Sequence, residues 1–274
     1  MDHSRASFDA YLNFLGEPFA DGAPVVLQTE HALSLHFDPL TTQSYMSRRD
    51  PDRLMLGYTR TMMGFLLLRP EPGRIYMIGL GGGSLAKYCY RHLPGTRIVA
   101  IEIDSEVIAL RNTFRIPPDD KRFEVVCADG AEYVKRHDAQ PDVILVDGFL
   151  ADGMPTQLGS ATFYSDCHTR LAEEGLLVAN LLEEDPHLPY YLDGVRSAFG
   201  GSVSIFRAED SGNYTLFAWK GASRLPSRHA LRTRARTLTM THPLDFRLVA
   251  RALKRGGRLA SDWISVSAGR LIRA

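Results

Sequence analysis

The 274-residue chain predicts an α/β fold: a seven-stranded, mostly parallel sheet with helices on both faces. Three observations carry this. From Ile75 onward, short apolar and β-branched runs alternate with helical patterns. The first run, Ile75-Tyr76-Met77-Ile78, breaks into Gly79-Leu80-Gly81-Gly82-Gly83-Ser84 before a helix. Three of the following strand ends carry acids, at Glu102-Ile103-Asp104, Asp129-Gly130 and Asp147-Gly148. Strands joined through helices must run parallel, because a parallel pair needs a long crossover.

Taken in order, the first 24 residues are mixed, with a short helical pattern around Phe8 to Leu15. Residues 25–28 and 32–37 read as two strands of a small hairpin, which residues 41–46 extend. Asp50-Pro51 has the form of a helix start, with Asp50 as N-cap and Pro51 at the first helical position. Leu54, Met55, Tyr58, Met62 and Phe65 then recur at helical spacing, and the pattern stops before Pro70. Strands are expected at 75–79, 97–102, 123–128, 143–147, 176–180, 203–207 and 214–220. Helices are expected at 84–92, 105–114, 130–137, 162–172 and 188–199. The turn at Asp210-Ser211-Gly212-Asn213 is too short for a crossover, so the last two strands should be antiparallel neighbours. The remainder has helical patches at 228–238 and 243–255, the second closed by Gly256-Gly257. The expected division is a small N-terminal β-element plus helix (1–70), a Rossmann-like domain (71–220) and a basic helical extension (221–274).

Formal net charge is zero, which offers no global attraction to nucleic acid or membrane. The charge is uneven, however. Residues 220–274 hold 13 Lys/Arg against 2 acids, and the rest holds 19 against 30. An acidic body suits a cationic ligand, and the basic extension is expected to dock on that body or across a subunit interface. The nine histidines form no ligand cluster, and Cys89, Cys127 and Cys167 have no metal or disulfide spacing, so no metal is expected. The N-terminus lacks the basic-then-apolar pattern of a signal peptide, and the longest apolar run is far short of the roughly 20 residues that cross a bilayer. The expected location is cytoplasmic.

In an open α/β sheet the ligand sits beyond the carboxyl ends of the strands. A single strand-end aspartate is often only a helix N-cap, but three acids behind a glycine turn point to a nucleotide. Two nucleotide readings compete. For a dinucleotide, Gly79-Leu80-Gly81 opens G-x-G-x-x-G, but Ser84 stands where the third glycine belongs. For an S-adenosyl ligand there is no pyrophosphate to cradle. The turn lies against the amino-acid part, Glu102 takes the ribose diol and Asp129 takes the adenine amino group. Only this second reading uses Asp129-Gly130.

Residues 78–85 (IGLGGGSL), Glu102-Ile103-Asp104, Asp129-Gly130, residues 142–147 (DVILVD) and Phe163-Tyr164 together resemble the spermidine synthase-like family. Gln43 and the Tyr58-Thr59-Arg60 helix also fit. That family is a branch of the Rossmann-like class I S-adenosylmethionine-dependent methyltransferase fold, with a small β-domain before the sheet. The resemblance covers about residues 25–220. It implies aminopropyl transfer from decarboxylated S-adenosylmethionine to a small amine acceptor, within a homo-oligomer. The attacking nitrogen must be neutral, so a carboxylate should accept its proton; by position that is Asp147. The implied donor site comprises Gln43, Gly79, Gly81, Gly82, Gly83, Ser84, Glu102, Ile103, Asp129 and Gly130. Tyr58, Asp152 and Glu183 are the candidates for the acceptor.

Two departures bear on the substrate. Family members carry an aspartate just after the glycine run, where this chain has Ser84, and another three residues after the catalytic one, where it has Leu150. Asp152 is the nearest substitute for the latter. A neutral Ser84 also admits the carboxylate tail of intact S-adenosylmethionine, which makes methyl transfer the alternative on this scaffold. An NAD-dependent oxidoreductase and a non-catalytic donor-binding protein are the alternatives of other classes. The glycine-rich segment 147–159 reads as a lid or acceptor-binding loop. The acids and tyrosines of residues 183–191 are candidates for the acceptor wall.

Overall fold

The computed structural model describes residues 22–39, 41–136, 138–149, 153–209, 212–221 and 225–255. The helical pattern at Phe8 to Leu15, the candidate Asp152 and the closing Gly256-Gly257 lie outside the described residues.

The described residues begin with a three-stranded antiparallel sheet, β1 (Val25–Gln28), β2 (Ala32–His36) and β3 (Ser44–Ser47). The hairpin thus gains its third strand, with Leu33 opposite Met46 and Leu35 opposite Ser44. A short helix α1 (Gly57–Met62) follows and tightens into a 3-10 turn (Met63–Leu67). The helix expected to start at Pro51 is therefore corrected to one that starts six residues later, at Gly57. Asp50 instead closes a local turn, its carbonyl accepting from the Arg53 amide and its own amide donating to Ser47. The carbonyls of Leu54 and Met55 accept from the Arg60 guanidinium.

The main domain continues as β4 (Arg74–Ile78), α2 (Ser84–His92), β5 (Arg97–Glu102), α3 (Ser105–Ala109), β6 (Phe123–Cys127), α4 (Gly130–Arg136), β7 (Val143–Val146), α5 (Ala161–Arg170), β8 (Leu176–Leu182), α6 (Leu188–Phe199), β9 (Val203–Arg207) and β10 (Asn213–Trp219). Helices α7 (Arg228–Thr241) and α8 (Phe246–Arg255) complete the described chain. Helix α3 is shorter than its apolar pattern predicts. Beyond it the chain coils into turns that end at Arg115 in the left-handed region, and the Arg111 side chain ties back to the Pro117 carbonyl.

The seven strands lie in the order β6-β5-β4-β7-β8-β10-β9. Strands β6, β5, β4, β7 and β8 are parallel, and β10 is antiparallel to both β8 and β9. Neighbouring side chains alternate between two cores. Ile75, Met77, Ile98, Ala100, Val143 and Leu145 face one layer, while Tyr76, Ile78, Val99, Ile101, Ile144 and Val146 face the other. The first layer is closed by α2, the 3-10 turn, α7 and α8; the second by α4, α5 and α6. The C-terminal helices dock chiefly through apolar side chains, among them Leu231, Leu238, Phe246 and Leu253. Arg234 adds a hydrogen bond to the Leu67 carbonyl. Among the described residues, no helix is long and apolar enough to cross a membrane.

Candidate active site

Strand β4 is the point where the chain's connections diverge, with β5 on one side and β7 on the other. Such a switch point opens a crevice at the carboxyl ends of the strands. Gly79 sits at its apex with φ +93°, and a Cβ there would lie 2.2 Å from the Asp147 carbonyl oxygen. Only glycine fits, both for the backbone conformation and for the approach of β7. The crevice widens into a cavity of about 430 Å³ lined by the small N-terminal sheet, the glycine turn and the ends of five strands.

On the β5–β6 side, the Glu102 side chain is oriented by two backbone amides. Oε2 accepts from Leu80 (2.8 Å) and Oε1 from Asp104 (3.0 Å). This points the carboxylate into the crevice with lone pairs left for a further donor. Ile103 is next to it, 48% exposed on the cavity wall, an apolar surface for a flat ring. Asp129 caps α4, with Oδ1 accepting from Ala131 and Glu132. Its Oδ2 accepts from the Gln157 side chain at 3.2 Å. The cap role and the cavity role coexist, because one oxygen serves the helix while the other faces the loop. Gly130 packs directly on Ile78.

The glycine turn divides its work. Gly79, Leu80, Gly81 and Ser84 line the cavity. Gly82 and Gly83 do not line it, because they face the protein: a Cβ on Gly82 would meet Ser44 and Phe114, and one on Gly83 would meet Ile116. These two let the loop pack on its neighbours. Ser84 starts α2, its hydroxyl 3.4 Å from that of Ser44 on β3. Gln43 lines the same wall, its side-chain amide 3.5 Å from the Thr41 hydroxyl.

Asp147 ends β7 on the opposite side. Asn180 on β8 donates to its Oδ1 at 2.9 Å, and the Tyr58 hydroxyl of α1 donates to the same carboxylate. Asn213, at the start of β10, donates in turn to Asn180 Oδ1 at 2.8 Å. Burial raises the Asp147 carboxyl to about 6, and the hydrogen bonds from Asn180 and Tyr58 restrain the rise. Burial and the neighbouring Asp147 charge push the Tyr58 hydroxyl well above its ordinary value, so it remains a donor. At neutral pH the site therefore holds an ionised carboxylate with heightened affinity for a proton, the property a general base needs.

The described part of the 147–159 segment forms a wall of the cavity, through Gly148, Phe149, Gly153, Pro155, Gln157 and Leu158. Glu183 does not line the cavity; it pairs with Arg207. The neighbouring acid Asp185 accepts from the His187 amide and the Tyr191 hydroxyl, which commits it to the start of α6. Asp142, at the opposite end of the sheet, accepts from the Gly73 and Arg74 amides. Sequence reasoning missed Asn180, Asn213 and Gln157. For Asn180 a signal exists, a lone amide within the apolar run of β8, since a buried amide implies a partner.

Comparison with known proteins places the chain among relatives of one family. The spermine/spermidine synthase domain family matches residues 55–192. The polyamine aminopropyltransferase of Neisseria meningitidis serogroup A is 37% identical over 241 residues, covering 86% of this chain and 92% of that protein. That of Chromobacterium violaceum is 38% identical over 223 residues, covering 81% and 85%. The crystal structure of a probable spermidine synthase from Corynebacterium glutamicum superposes with a TM-score of 0.65 and 20% identity, over 92% of this chain and 94% of that one, a likeness of fold. The fold is the Rossmann-like class I methyltransferase fold. Its glycine turn, its strand-end acids and the extent of these matches place the chain together: it belongs to the spermine/spermidine synthase family.

Proposed function

We propose that this enzyme transfers the aminopropyl group of decarboxylated S-adenosylmethionine to a small amine, with Asp147 accepting the proton. The observation that carries the reading is Asp147 itself, a carboxylate of raised proton affinity held by Asn180 and Tyr58 across the crevice from Glu102 and Asp129. Glu102 binds the ribose diol, Asp129 and Ile103 the adenine, and Gln43, Gly79, Gly81 and Ser84 enclose the sulfonium end. The acceptor nitrogen uses its lone pair to attack the carbon attached to sulfur. The carbon–sulfur bond breaks, its electron pair neutralises the sulfonium, and methylthioadenosine leaves. Asp147 holds the proton that the acceptor gives up before the attack, and the product nitrogen remains an ammonium. Most of the acceleration comes from holding nitrogen, carbon and sulfur in line.

The family relationship favours aminopropyl over methyl transfer. The cavity position of Asp129 and Gly130 favours an S-adenosyl donor over a dinucleotide, which has no use for them. Titration calorimetry with decarboxylated S-adenosylmethionine, S-adenosylmethionine, methylthioadenosine and NAD separates these readings. Methylthioadenosine and the decarboxylated donor are expected to bind, and Glu102→Gln to weaken both by about 10- to 100-fold through the lost charge-assisted ribose bonds. Binding of NAD alone would refute the proposal.

A further inference from the structure

The Asn180 side chain is the pivot of the half of the cavity that holds Asp147. Leu176 and Val178 of β8 face the first layer, and Asn180, two residues on, lies on the same face. Thr215 of β10 stands directly across from Asn180, which makes Asn213 its diagonal neighbour on that face. Asn180 is 2% exposed, so protein groups rather than bulk water must satisfy both ends of its amide. They do so in opposite senses. Nδ2 donates to Asp147 Oδ1 at 2.9 Å, and Oδ1 accepts from Asn213 Nδ2 at 2.8 Å.

These two bonds are not independent. An ionised carboxylate only accepts hydrogen bonds, whereas a protonated carboxyl also donates one. The nitrogen end of Asn180 therefore favours ionised Asp147, and the oxygen end would favour the neutral acid. A half-turn of the amide exchanges the two ends. The donor supplied by Asn213 is satisfied in only one position, the one that turns Nδ2 toward Asp147. Among the described residues, the other groups around the carboxylate do not make this choice. Tyr58 of α1 donates to it directly, and the Ile78 carbonyl of β4 accepts from its backbone amide. Glu102, Asp104 and Asp129 line the far side of the cavity, and the Glu183–Arg207 pair lies beyond the end of β8.

We propose that Asn213 is a positioning residue for the transfer reaction: through Asn180 it holds the amide with its nitrogen toward Asp147, and so keeps that carboxylate ready to take the acceptor's proton. This deepens the proposed function and rests on the base role given there to Asp147. Asn213 acts on the base through one intervening side chain, across three strands, β10, β8 and β7.

The test compares kcat/KM for 1,4-diaminobutane, at saturating decarboxylated S-adenosylmethionine, between wild type and Asn213→Leu across pH. The acceptor's own ionisation is common to both proteins and cancels in their ratio. Without Asn213 the amide is free to turn. The acid limb of the profile should then move up by about one pH unit, the worth of one hydrogen bond to a charged group. Asn213→Leu should therefore lose about tenfold toward pH 5 and stay within about twofold of wild type above about pH 8.5. Asn213→Ala removes the same donor with less bulk and should give the same shift; it decides the matter should the leucine variant not fold. In an Asn180→Leu background, Asn213→Leu should add no further shift. A loss of equal size at every pH is what a merely structural asparagine predicts, and it overturns the proposal. So do an unmoved limb and shifts that add in the double variant. Thermal melting and methylthioadenosine binding in calorimetry establish that each variant is folded. Failure of the underlying reading shows separately, as an acid limb that persists unchanged in Asp147→Asn, and removes both.

Discussion

An aspartate whose carboxyl is raised to about 6 weakens the fold that holds it. At Asp147 the proposed base function and stability pull apart. The ordinary carboxyl value in an unfolded chain is about 3.9. Between that value and about 6 the folded protein binds more protons than the unfolded one, so this residue's contribution to stability falls as pH rises through the window and is lowest above 6. Asp147→Asn removes the charge while keeping an acceptor for Asn180 or Tyr58. At pH 8 it should raise stability by about 1–3 kcal/mol, the size of a two-unit shift less solvent screening. The gain should shrink toward pH 4, where the native carboxyl is already neutral. Turnover should fall by about 10²- to 10⁴-fold, the usual contribution of a general base. Melting temperature against pH, measured beside turnover on the same two proteins, checks both halves. A pH-independent difference in stability would mean that burial of the charge is not what Asp147 costs. Glu102, Asp129 and Asp147 were all legible in the sequence because a parallel sheet delivers its strand ends to one edge. Asn180 and Asn213 were not read, because an amide carries no motif and its role exists only through contacts 33 residues apart in the chain.

At the level of elements, the segment before β4 shows where local signals lose to packing. Asp50-Pro51 has the composition of a helix start, yet α1 begins at Gly57, and the Leu54 and Met55 carbonyls before it accept from the Arg60 guanidinium. Its last turn tightens to 3-10 geometry at fully buried residues, Met63 to Leu67. Gly64 explains the closeness of this turn to the C-terminal helices. A Cβ at Gly64 would lie 2.3 Å from Val249 Cγ1 on α8 and 3.2 Å from Phe217 Cζ on β10. Helix periodicity in the sequence cannot show such a contact, since its two partners are 185 positions apart. Gly64→Ala should therefore destabilise by about 1–3 kcal/mol through overpacking, despite alanine's better helix propensity. Val249→Ala removes the clashing methyl. The double variant should be more stable than the two single effects sum to, by about 1–2 kcal/mol. Denaturant melts of the four proteins supply the cycle, and simple additivity would show that the backbone moves freely to accept the methyl.

For the whole molecule, the sequence divides more readily than the structure. Charge and composition set residues 221–274 apart as a basic extension beyond the region of family resemblance. In the fold, α7 and α8 close the first layer, and their Leu231, Ala235, Leu238, Phe246, Val249, Ala250 and Leu253 share one core with β4, β5, β7 and β8. The same layer contains Met46 of the N-terminal sheet and Tyr88 of α2, whose hydroxyl meets His242 at the end of α7. All three sequence regions are therefore joined through one body of apolar side chains, and the cavity lies between two of them. Burial of a large apolar side chain contributes about 1.5–3 kcal/mol. Removing α7 and α8 takes five such residues out of the first layer and exposes to water the apolar side chains they cover. Ending the chain after Gly221 should therefore abolish cooperative folding, beyond merely trimming a tail. The expected signs are loss of a sharp thermal transition, binding of an apolar dye, and loss of methylthioadenosine binding in calorimetry. A truncated protein that still melts cooperatively and binds methylthioadenosine would show that the extension only covers a core complete without it. The distinction matters for the site, because α1 carries Tyr58 to Asp147 and leads directly into the turn on which α8 rests.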